Sequence, residues 1–169
     1  TRVHSYTQMR INEVIPYTDG TNYLTGEGQT IHIADFNCNT NMDVFDSSNK
    51  TIYNLDDGGS GESTFQNDTS SNYHCNAVVA LAAGLDSGGA DTIPWYGVAW
   101  NADLVLSSIP DYEGDYAGDD YAADLDSARG YGAIVSNNSW GFTDSGGSST
   151  VDATEFQNFY DTYKNSYSL

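Results

Sequence analysis

Basic residues are scarce in this chain. Five Lys and Arg stand against 24 Asp and Glu, which leaves a net charge of −19 over 169 residues. Such a surface repels a phosphate backbone and excludes nucleic acid as a partner. No apolar run approaches the length needed to cross a bilayer, so no membrane span is expected. No segment reads as a signal peptide either, and the chain opens on Thr1 rather than Met, as a processed, exported protein would. Cysteine occurs twice, without Cys-x-x-Cys spacing, which is a poor signal for zinc. Internal repeats and coiled-coil heptads are absent.

What is abundant points the same way. The chain holds 17 Gly and 13 Tyr, together with many Ser, Thr and Asn, a composition that suits a secreted or cell-surface protein. The acidic balance favours solubility and can attract divalent cations. The length suffices for one domain with a real core.

In chain order, residues 1–22 read as an irregular arm with one apolar patch at Ile11, Val14 and Ile15. Gln29–Asp35 reads as a core strand, because Ile31 and Ile33 alternate with Thr30 and His32. His32 is therefore expected on a sheet face. Thr51–Leu55 is a short strand, and His74–Gly84 a helix of small apolar residues that ends with Gly84 at C′. Asp86–Tyr96 reads as a Gly-rich loop and Leu104–Ser108 as a buried strand. The loop Asp111–Asp120 is dense in carboxylates, a composition able to hold a structural Ca²⁺. Tyr121–Gly130 has helical spacing, and Ala133–Asn138 is a further strand. Asp152 and Glu155 form a capping box for a last helix, whose aromatic stripe is Phe156, Phe159, Tyr160, Tyr163 and Tyr167. Strands alternating with helices imply an α/β fold: a parallel, doubly wound sheet with helices on both faces.

Four segments carry chemistry. Gly26-Glu27-Gly28 leads into a strand that ends at Asp35. His74 opens a helix, where the positive dipole end meets solvent and ligand. Gly97-Val98-Ala99-Trp100-Asn101-Ala102 precedes the buried strand, and Asn137-Asn138-Ser139-Trp140-Gly141 closes the next one. In this order the four segments resemble the subtilisin-like serine proteases (subtilases), over roughly residues 20–169. That family has an Asp-ending strand, a His-Gly-Thr-His helix start, a Gly-Val-Ala-Pro-Asn-Ala segment and an Asn-x-Ser-x-Gly cleft strand. The flanks differ here, because Phe36-Asn37 follow Asp35 and Cys75-Asn76-Ala77 follow His74.

The resemblance implies a secreted serine endopeptidase with an Asp-His-Ser triad, in which Asp35 and His74 are catalytic. Ser139, Trp140 and Gly141 would line the cleft and pair with an extended peptide or protein substrate. It further implies that residues 23–169 are the N-terminal portion of a peptidase domain, with the fold incomplete in this chain. The nucleophilic Ser and the oxyanion Asn would lie on a separate C-terminal part. No cofactor is needed for catalysis, and no metal ligands are assigned. If Asp35 and His74 meet, Cys38 and Cys75 become neighbours, and a disulfide between them suits an oxidising compartment. Two free, buried thiols are the other reading. Two alternatives to an active protease also fit: an inactive subtilase-like peptide-binding or surface protein, and a flavodoxin-like acidic electron carrier. Against the second stands Phe36–Asp43, which lacks the glycines of a phosphate loop.

Overall fold

The computed structural model describes residues 24–35, 38–40, 45, 50–55, 74–86, 95–108 and 118–139, together with Gln157, Asp161 and Lys164. The expected N-terminal arm lies outside these residues, as do most of the acidic loop and the aromatic stripe. Trp140 and Gly141 also lie outside them.

The element order is β1 (Thr30–Asp35), β2 (Ile52–Leu55), α1 (His74–Ala82), β3 (Leu85–Asp86), β4 (Trp95–Tyr96), β5 (Asp103–Ser108), α2 (Gly118–Gly130) and β6 (Ala133–Asn138). Four strands form one sheet in the order β2-β5-β1-β6. Every pairing within it is parallel, with Ile33 of β1 opposite Leu106 of β5 on one side and Asn137 of β6 on the other. β1 is therefore flanked on both sides, and the alternating residues of its neighbour β5 feed two cores. Ile33, Leu104 and Leu106 pack with Cys75, Val79 and Ala80 of α1 on one face. Val105 and Leu55 pack with Ala128 of α2 and Ala133 on the opposite face. Such alternation is what a strand covered on both sides requires.

The two crossovers are of opposite hand. The chain moves the same way across the sheet from β2 to β5 and from β5 to β6, yet α1 and α2 cover opposite faces. One of them must take the rare left-handed course, since nearly all such connections are right-handed. A flavodoxin-like sheet has no reversed crossover of this kind, which removes the electron-carrier alternative.

Three boundaries differ from the sequence reading. The segment 86–96 is not all loop: Leu85 and Asp86 pair antiparallel with Tyr96 and Trp95. α2 begins at Gly118 rather than Tyr121. α1 stops at Ala82, and Gly84 is not a left-handed cap, because positive φ among the described glycines falls at Gly26, Gly28 and Gly132. Instead the Lys50 ammonium donates to the Ala83 carbonyl, a cation at the negative end of the helix. Gly97 explains why the chain passes so tightly there. A Cβ on it would stand 2.7 Å from the amide nitrogens of Ala83 and Gly84. Gly26 carries a φ of +83° and turns the chain into β1, with the Gln29 amide donating to its carbonyl at 2.9 Å.

His32 lies on the sheet face, as its position in the strand predicts, and it is fully buried. Its Nδ1 meets Ser136 Oγ at 2.9 Å and its Nε2 meets Ser107 Oγ at 2.8 Å. One ring nitrogen donates and the other accepts, so a neutral imidazole satisfies both hydroxyls and ties β5, β1 and β6 together. Burial lowers its pKa from 6.5 to about 4. The unfolded chain therefore binds a proton that the folded chain refuses between those two values. Stability from this group is complete above pH 6.5 and falls as the pH drops toward 4. We expect the loss to reach about 3 kcal/mol. Denaturant unfolding across that window should show it in the native chain and not in His32→Gln. A variant with the same acid sensitivity would exonerate His32.

Among the described residues, no helix is long and apolar enough to cross a membrane.

Candidate active site

Asp35 is the last residue of β1 and His74 the first of α1. In a parallel sheet the carboxyl ends of the strands share one edge, and helix starts face the same edge, so the topology alone brings the two together. His74 Nδ1 lies 2.8 Å from Asp35 Oδ1. The two environments are opposite. The Asp35 side chain is 0 % exposed, whereas that of His74 is 52 % exposed. A buried carboxylate thus holds an imidazole that solvent or a ligand can reach. With the ring proton on Nδ1 donated to Asp35, Nε2 is left as a base pointing away from the carboxylate. The pair can accept a proton from an incoming hydroxyl, while Asp35 stabilises the imidazolium that forms.

Two bridges hold the helix start against the loop that follows Asp35. Cys38 and Cys75 form a disulfide with their Cα atoms 5.1 Å apart. Both side chains are fully buried, and their pairing sets aside the alternative of two free, buried thiols. One residue further on, Asn39 N–H donates to Asn76 Oδ1 at 3.0 Å, and Asn76 Nδ2 donates to the Asn39 carbonyl at 2.9 Å. The one local trace of this second bridge is that Asn76 departs from the subtilase helix-start pattern.

Ser139 follows β6, whose Asn138 lies opposite Ala34 of β1, so it stands at the same sheet edge as Asp35. Its hydroxyl accepts from Asn137 Nδ2 at 2.7 Å. Trp140 and Gly141, the other expected cleft residues, lie outside the described residues. No group of three or more His, Cys, Asp or Glu able to hold a metal occurs among the described residues. Residues 111–117 of the acidic loop are outside that set.

The subtilase family model matches residues 26–167, which is most of the chain. The chain belongs to the subtilase family. Solved structures agree on the fold. The self-cleaved protease domain of PatA is 19 % identical with a TM-score of 0.53, matched over 84 % of this chain and 48 % of that chain. MycP1 with its N-terminal propeptide removed is 20 % identical with a TM-score of 0.56, matched over 95 % and 44 % respectively. The chain thus spans a little under half the length of either subtilase-fold structure. Comparison with curated proteins gave no match.

Proposed function

We propose that this chain supplies the Asp and His of a subtilase triad in a secreted serine endopeptidase, with Asp35 as the orienting acid and His74 as the base. The observation that carries the reading is the 2.8 Å contact between a buried Asp35 and an accessible His74 at the carboxyl edge of the sheet. In the reaction, a serine Oγ attacks the peptide carbonyl while His74 Nε2 takes its proton. The imidazolium then passes that proton to the leaving amine, and water repeats the sequence on the acyl-enzyme. Ser139, Trp140 and Gly141 would receive the substrate backbone as an added strand.

The serine and the oxyanion Asn are assigned to a further part of the protease domain. Two observations support this. The relatives are about twice as long as the matched stretch. In addition, β6 is an edge strand in the described sheet and leaves Ile134 and Val135 exposed, although they are consecutive residues and so face opposite sides. More of the same domain packed there would cover them. The disulfide fits an oxidising, extracellular location. The triad needs no cofactor; a calcium ion on the acidic segment 111–120 would be structural.

The test is labelling of the native material with a serine-directed fluorophosphonate, followed by mass spectrometry of every chain present. Label is expected on one serine outside these 169 residues, and its rate should fall sharply in His74→Ala. Absence of label would favour the inactive, peptide-binding relative.

A further inference from the structure

We propose that Asn76 is a positioning residue for the Asp35–His74 pair, acting together with the Cys38–Cys75 disulfide as a two-point brace between the two catalytic segments. The inference rests on the reading of that pair as catalytic and adds to it a determinant of its geometry.

The two bridges join consecutive residues in the same sense: 38 to 75, and 39 to 76. They connect the segment that follows Asp35 to the residues that follow His74. Cys75 and Asn76 are also the positions where this helix start departs from the family's Gly-Thr. One disulfide is a tether with several rotatable bonds. It fixes a separation and leaves the helix free to turn about the link. A planar amide that occupies both the N–H and the C=O of Asn39 supplies the second point and fixes the orientation. Asn76 is buried, so its side of both bonds is shielded from water. Orientation is what the chemistry demands, since an imidazole serves a carboxylate and a hydroxyl at once only within about 10–20° of the productive geometry. The half-exposed His74 ring is held by Asp35 and by the backbone it extends from, and the brace fixes that backbone.

The experiment compares the native protease with Asn76→Ala and Asn76→Thr in two readouts. The first is the downfield proton resonance of His74 Nδ1–H, read by NMR on the complete protease without any need for turnover. The second is kcat and KM on a peptide substrate, read on the complete protease. Asn76→Ala should broaden or shift the Nδ1–H signal and lower kcat about tenfold at unchanged KM. Threonine offers one oxygen on a side chain one atom shorter, where Asn76 reaches Asn39 with two separate atoms, so Asn76→Thr should fall between alanine and native. The disulfide is expected to keep both variants folded, which near-ultraviolet circular dichroism checks. An unchanged resonance and unchanged kcat, with only a lower melting temperature, would reduce Asn76 to a structural role and overturn the proposal. If His74→Ala cleaves normally, the catalytic reading itself fails, a result separable from the behaviour of Asn76.

Discussion

His74→Ala is expected to lower kcat about a millionfold, the size that loss of the base carries in serine triads. The side chain is half exposed and is not among the core residues, so the fold should survive and the loss should appear in the chemical step. Asp35→Asn is expected to cost about ten-thousandfold, because an amide can donate to Nδ1 and so favours the tautomer with the proton on Nε2. The double variant should be little worse than His74→Ala, since Asp35 acts only through the imidazole it holds. The check is kcat and KM for a peptide substrate on the complete protease, with circular dichroism as the fold control. Cleavage by His74→Ala at the native rate would remove His74 from the mechanism. Additive losses in the double variant would mean that Asp35 does something other than orient His74.

The Asp35–His74 contact is legible because each member sits at a boundary that local pattern marks. Alternation in Ile31–Ala34 makes the strand, and Asp35 ends it. His74 opens a run of small residues that can lie close to a sheet. The contact between them needs only parallel topology. The cysteine pair became readable once that contact was assumed. Other features depend on contacts that no window of sequence contains. Asn76 meets a backbone 37 residues away, and Lys50 caps a helix from 33 residues away. The β3–β4 pairing has two residues a side, too few for alternation to register. Handedness of a crossover leaves no trace in local pattern at all. His32 is the intermediate case. Its place in the strand put it on a sheet face, but its two serine partners come from strands 75 and 104 residues distant.

Removing the disulfide is expected to cost about 4 kcal/mol of stability, from the chain entropy released when a loop of this length opens. The linked cysteines are 37 residues apart. For a domain that is stable by about 5–15 kcal/mol, this is a large fraction of the total. Both sulfurs lie in the core cluster beside Val79 and Phe45, so Cys38→Ala with Cys75→Ala leaves the surroundings apolar and isolates the cross-link from any buried polar penalty. Denaturant unfolding should show a lower midpoint for the double variant, together with a larger dependence on denaturant, because an unlinked unfolded chain exposes more surface. The native chain kept reduced in dithiothreitol should behave like the variant. Thiol titration of the unreduced, unfolded protein should find no reactive cysteine, and two reactive thiols there would end the argument. The functional consequence is graded rather than absolute. With the tether gone, Asn76 still holds Asn39 through two hydrogen bonds, so fluorophosphonate labelling should slow without stopping. Adding Asn76→Ala to the disulfide-free variant removes the second point as well. The two losses together should exceed their sum, because either bridge alone limits how far His74 can swing from Asp35.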